Sequence, residues 1–191
     1  MTWNLIGRRS TTTRRVPTIM QVAQTECGLC CCVAVLRHHG RAEEISSARQ
    51  VMEAGRDGLS ATQLARFLRE RGMDAKLFRV KDASALAKFT SPVILYWEDY
   101  HFVVLERFDG HSAIIMDPAI GRRNLSRKEL ESSFSGIAVS AEPGPDFEPT
   151  PRKFMAEWRG VPLFAAGSRR RIALVGLLSL GGYGGPSVYR C

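Results

Sequence analysis

Apolar positions follow two regimes along this chain, helical periodicity first and strand-like runs second. The run Leu29-Cys-Cys-Cys-Val-Ala-Val-Leu36 meets no Pro or Gly until Gly40. It predicts a buried helix whose first turn lies at or just after Cys27. Gly40 is the expected C-cap, and His38 and His39 fall in the last turn, where positive charge complements the helix dipole. Residues 43–54 have helical character that Gly55 and Gly58 break. Ser60 then caps a helix at 61–71, with Leu64, Phe67 and Leu68 as its core stripe and Gly72 as its stop. From Asp74 the pattern changes. Residues 75–80 read as a strand and 83–89 as a short helix. An apolar strand at 92–97 leads through Glu98-Asp99-Tyr100 to His101. Strands at 102–108 and 111–116 meet at Asp109-Gly110, a dipeptide suited to a tight hairpin. Ser126-Arg-Lys-Glu129 has the form of a capping box before a helix ending near Phe134, and 137–140 closes the sheet. A helical lobe followed by an antiparallel sheet is α+β.

Both ends depart from this pattern. Residues 1–15 are polar, Thr- and Arg-rich and aperiodic, which reads as a disordered basic arm before a folded domain at 16–140. Residues 141–153 carry the prolines of a stiff linker. In 154–191, Phe154, Trp158, Leu163 and Phe164 suggest an interfacial segment. Arg169-Arg-Arg171 then precedes an apolar stretch at 172–180 that starts like a membrane span under the positive-inside rule. A span needs about 20 apolar residues, whereas Gly181-Gly-Tyr-Gly-Gly-Pro186 interrupts this one, so the transmembrane start is incomplete.

Composition narrows the partners. The formal charge of +8 comes with arginines gathered at the two ends and not interleaved with aromatic stacking platforms, which argues against nucleic acid and for the cytoplasmic face of a membrane. The five cysteines are odd in number, four lie on one helix, and the first residues lack the apolar core of a signal peptide. That balance points to a reducing compartment without a disulfide framework. A phosphate-binding Gly-rich loop ending in Lys-Ser or Lys-Thr is absent, so the chain offers no nucleotide site of its own.

The candidate chemistry lies where the two regimes meet. A thiol at a helix N-terminus sits in partial positive charge and among unpaired N–H groups, which lower its pKa from about 8.5 and can hold an oxyanion. Cys27 is so placed. His101 opens one strand of the hairpin and Asp117 closes the next, so their side chains can be neighbours although sixteen positions apart. A carboxylate beside an imidazole fixes its tautomer and stabilises the imidazolium.

Three motifs together carry a resemblance: Gln21 six residues before Glu26-Cys27-Gly28, then His101-Phe-Val-Val-Leu105, then Asp117-Pro-Ala-Ile-Gly121 followed by a short helix and Ser135-Gly-Ile137. From about Val16 to Val139 the chain resembles the bacteriocin-processing cysteine peptidases. These are the papain-like domains at the N-terminus of peptidase-containing ABC transporters, which cut leader peptides after a double glycine. The resemblance implies a papain-like α+β fold and a thiol hydrolase with Cys27 as nucleophile, His101 as its base, Asp117 orienting His101, and Gln21 as side-chain donor of the oxyanion hole. It implies a leader peptide as substrate, the membrane and ATPase segments of a transporter as partners, and ATP used only in those segments. Neither cofactor nor metal is expected in this chain.

Two other readings compete. A non-catalytic docking domain for an ABC exporter is the first, although degenerate relatives of that kind lack the Cys that this chain keeps. A metal or redox site on Cys27-Gly-Leu-Cys30 is the second. It has the right spacing, but no second pair exists, and Cys30, Cys31 and Cys32 point to different helix faces.

Overall fold

The computed structural model describes residues 15–52, 55, 58–89 and 92–150. The expected basic arm, apart from Arg15, and the segments expected at 154–191 lie outside the described residues.

A 3-10 turn, Gln24–Glu26, leads directly into α1, Cys27–His38. All residues of α1 from Cys27 to Leu36 are buried, as an unbroken apolar run requires of a helix packed on every side. His39 is not the dipole-complementing cation the sequence suggested. Burial first, and then His38, pull its imidazole down to about 4, so it is neutral at physiological pH and packs edge-on against Phe147. The second helix, α2 (Ile45–Val51), is shorter than expected, because Glu43 is buried in ion pairs with Arg71 (3.0 Å) and Arg41 (3.4 Å) instead of opening the helix. In α3 (Ala61–Arg69) the start signal is met, while the helix ends two residues before the expected 71, in a turn where the Gly72 N–H donates to the Arg69 carbonyl (2.9 Å). Ser60 accepts from the Gln63 N–H, and the Gln63 side chain accepts from the Ser60 N–H at 2.8 Å.

Six antiparallel strands follow: β1 (Met73–Arg79), β2 (Val93–Trp97), β3 (His101–Phe108), β4 (Ser112–Asp117), β5 (Gly121–Ser126) and β6 (Phe134–Pro143), with α4 (Arg127–Ser133) between the last two. Their order across the sheet is β1-β6-β2-β3-β4-β5. One face of the central strands, with Ile94, Phe102, Val104 and Met116, packs on α1 and α3. The other, with Val93, Leu95, Val103 and Ile115, is covered by α4 and a 3-10 turn at Ala83–Lys88. Apolar residues on both faces explain why β2 and β3 read as continuous runs instead of alternating ones.

The structure corrects four expectations. The helix at 83–89 is 3-10, which stacks Ala83 and Leu86, three residues apart, toward the sheet. Three residues, not two, join β3 to β4, because the Asp109 carboxylate accepts from the N–H groups of His111 (2.9 Å) and Ser112 (2.8 Å) and builds a wider loop. Strand β5 was not expected, since it is an edge strand in which only Gly121 and Leu125 are buried and the Arg-Arg-Asn stretch between them is not. Last, β6 runs past residue 140, and the chain after it turns back instead of leaving as a linker. Gly144 N–H donates to the Gly72 carbonyl (3.0 Å), Ala42 N–H donates to the Thr150 carbonyl (3.0 Å), and Phe147 packs on the helical core. This close return needs glycine at 72, where a Cβ would lie 2.4 Å from the Asp146 carbonyl oxygen.

Candidate active site

Cys27 is the first residue of α1, and Glu26 fixes the approach to it. The Glu26 carboxylate accepts from the N–H groups of Val22 (3.1 Å) and Ala23 (3.3 Å) and receives Arg49 of α2 at 2.6 and 3.1 Å. The Arg49 hydrogen bond, helped by those amides and opposed by burial, holds the Glu26 carboxyl at about 2. The sequence motif contained Glu26, but nothing local assigned it this anchoring role, since Arg49 belongs to another helix. Gly28 lets the first turn of α1 press against α3: a Cβ there would lie 2.9 Å from the Leu64 side chain.

His101 and Asp117 come together as expected, with His101 Nε2 2.9 Å from Asp117 Oδ1 and both residues buried. A carboxylate only accepts, so Nε2 carries the hydrogen and the tautomer is set. Asp117 Oδ1 also accepts from the Ala119 N–H at 2.8 Å, and Arg123 lies 3.9 Å from Oδ2. Burial, the largest influence on the Asp117 carboxyl, pushes it up, but the His101 bond and the Ala119 amide outweigh it and hold the group below the ordinary range. On the His101 ring, burial likewise works against the charge. Hydrogen bonds to Asp117 and to the Cys27 side chain overcome it and raise the imidazole to about 9. The charged form of the ring is thereby favoured, with Nε2 held by Asp117 and Cys27 in the same cleft.

Gln21 reaches the same cleft from a different segment. Val16 and Ile19 are buried ahead of it, Arg122 donates to the Val16 carbonyl at 2.6 Å, and the Gln21 N–H donates to the Pro118 carbonyl at 2.9 Å. The Gln21 side-chain oxygen is buried with no hydrogen-bond partner among the described residues, so its amide is not committed to holding the fold. Cys27, His101, Asp117 and Gln21 all line one cleft of about 1050 Å³. The turn Glu98-Asp99-Tyr100, read in the sequence only as the link to His101, lines the same cleft. Glu98 and Asp99 have left-handed φ angles of 50° and 61°, pinned by Glu98 N–H to Ser133 O (2.7 Å) and Asp99 N–H to Ser135 Oγ (2.8 Å). Strained backbone of this kind persists only where neighbours over-determine it. Here it fixes the entry into His101.

The Peptidase C39 family model matches residues 15–146. The "Probable microcin-H47 secretion/processing ATP-binding protein MchF" of Escherichia coli is 30% identical over 167 residues, 87% of this chain and 24% of that protein. The colicin V secretion/processing ATP-binding protein CvaB of Escherichia coli is 28% identical over the same shares. The chain thus spans about a quarter of the length of these curated relatives. Among solved structures, a double glycine motif protease from an AMS/PCAT transporter, in complex with the leader peptide, superposes with a TM-score of 0.65 at 33% identity, covering 68% of this chain and 93% of that one.

Proposed function

Because the chain belongs to the Peptidase C39 family, we propose that it is a cysteine endopeptidase that removes the leader from a precursor peptide by cutting after a double glycine. The observation that carries this reading is that His101, hydrogen-bonded to Asp117 at 2.9 Å, shares one cleft with Cys27 at the head of α1 and with Gln21. The Cys27 thiolate attacks the scissile carbonyl. The tetrahedral oxyanion is received by the Cys27 N–H at the head of α1 and by the Gln21 side-chain amide. His101 then passes its proton to the leaving amine, and the acyl-enzyme is hydrolysed by water that His101 deprotonates. Asp117 keeps the ring charged and oriented throughout.

The substrate class follows from a likeness to the leader-bound protease. Small residues at the last two leader positions suit a cleft into which backbone must enter bare. The partners we propose are the leader of a small precursor peptide and the membrane and ATPase segments of an ABC transporter, with the peptidase on the cytoplasmic face of the membrane. Among the described residues, no helix is long and apolar enough to cross a membrane.

The test is mass spectrometry of a synthetic double-glycine leader joined to a short core peptide. The chain is expected to cut after the second glycine, the Cys27→Ala variant is expected to leave the peptide intact, and Val at either glycine should stop cleavage. Activity retained by Cys27→Ala would overturn the thiol chemistry. Equal cutting of the Gly and Val peptides would overturn the double-glycine assignment.

A further inference from the structure

The pair Cys27 and Cys30 is not explained by peptide hydrolysis. Cys27-Gly-Leu-Cys30 occupies the first turn of α1, and the second thiol is completely buried. Residues three apart on a helix are surface neighbours, with Cβ atoms about 5–6 Å apart. A disulfide needs Cβ atoms about 3.5–4.5 Å apart, so the gap to be closed is small. It also lies where the helix yields most easily. Cys27 is the first residue of α1, at the junction where the 3-10 turn Gln24–Glu26 passes into the α-helix. The residue after it is Gly28. Cys31 and Cys32 are otherwise engaged, since the Cys31 thiol donates to the Phe102 carbonyl (3.4 Å) and the Cys32 thiol lies 3.9 Å from the Leu64 carbonyl. For Cys30 no thiol hydrogen bond is found among the described residues.

We propose that Cys27 and Cys30 form a reversible intrachain disulfide under hydroperoxide, and that this dithiol is a redox modification site which silences the peptidase. The inference rests on Cys27 being the nucleophile, but its chemistry is read without a substrate. The Cys27 thiolate attacks one oxygen of hydrogen peroxide, and the O–O bond breaks. Cys27 becomes a sulfenic acid, and the departing hydroxide takes a proton from the His101 imidazolium to leave as water. The Cys30 sulfur then attacks the Cys27 sulfur. The S–O bond breaks, the hydroxyl departs with the Cys30 proton as a second water, and the disulfide is closed. Sulfur has lost two electrons in all, and peroxide has gained them. A small dithiol reverses the reaction by exchange, attacking the Cys27 sulfur that faces the cleft. Burial raises the Cys30 thiol to about 12, which suits a resolving thiol that stays protonated and inert until its neighbour is oxidised. A deeply buried resolving partner also keeps Cys27 from advancing to the irreversible sulfinic acid.

The experiment treats the full chain with a small excess of hydrogen peroxide, blocks remaining thiols with iodoacetamide, and sequences the tryptic peptide between Arg15 and Arg37, which holds the four cysteines of α1, by fragmentation. The expected product lacks two hydrogens and carries alkyl groups on Cys31 and Cys32 only. Dithiothreitol should restore both the mass and at least nine-tenths of the leader-cleaving rate, whereas Cys30→Ala should accumulate Cys27 sulfinic acid and recover less than a third of its rate. Cys31→Ala should behave as the parent chain does. A link from Cys27 to Cys31, or Cys27 sulfinic acid forming equally fast with and without Cys30, overturns the proposal. The mass readout needs neither folded variants nor a substrate. If the disulfide forms but no leader is cut even after reduction, the peptidase reading fails and the redox site stands.

Discussion

The backbone N–H of Gln21 donates to the carbonyl of Pro118 at 2.9 Å, which ties the proposed oxyanion donor to the turn that begins at Asp117. Two segments of the candidate site that are far apart in sequence are thereby held to each other by main chain, and Gln21 does not depend on its own side chain for placement. The donor and the imidazole's partner keep a common frame, so a side-chain substitution at Gln21 should act on chemistry more than on folding.

Gln21→Ala tests that separation. Loss of one oxyanion donor typically lowers kcat by about 10²–10³, and since the backbone bond to Pro118 is untouched, KM and the thermal midpoint should change little. Steady-state kinetics on a double-glycine leader peptide and a melting curve measure both. A large fall in the midpoint with kcat unchanged would make Gln21 a folding residue.

The charge on His101 sets the pH limits. Its imidazole is raised from an ordinary 6.5 to about 9 by hydrogen bonds to Asp117 and Cys27 that exceed the opposing effect of burial. A group whose folded value is raised stabilises fully below its unfolded value, so this contribution is complete below about pH 6.5 and is lost as pH rises through about 9. The same loss of a proton should give kcat/KM a basic limb near 9. Asp117→Asn should move that limb toward neutrality and lower kcat by about 10³–10⁴. A pH profile of the variant that overlays the parent's would leave Asp117 as a turn residue before Pro118.

The return of the chain after β6 sets where the domain can be cut. A chain ended after Pro143 discards the contacts of Gly144, Phe147 and Thr150 with the helical lobe, while one ended after Thr150 keeps them. The shorter chain should lose about 1–3 kcal/mol, roughly the burial of one large apolar side chain plus its neighbouring hydrogen bonds. Urea unfolding of the two chains measures it. Equal midpoints would mean that 144–150 merely rests on the surface.

Local rules made much of this protein legible from its residues alone. The capping boxes at Ser60 and Ser126, the stop at Gly72, the start of a buried helix at Cys27 and the strand ends at His101 and Asp117 each depend on groups within a few positions of one another. The four candidate residues were named through the family resemblance that their short motifs carry. What the tertiary structure alone decided were relations between segments. The pairing of β3 with β4 starts at Val104 and Met116 and slips at Glu106, so His101 meets Asp117 diagonally and not as a cross-strand partner. Glu26 acquired its anchoring role from Arg49, and the neutral state of His39 came from burial under Phe147. Residues 144–150 carry the prolines of a linker yet fold back, because Gly72 opens a space that no local pattern records. Hydrophobic periodicity and capping fix what a segment is, since their energies come from adjacent residues. Desolvation and long-range hydrogen bonds fix what each residue meets, and those come only with the assembled fold.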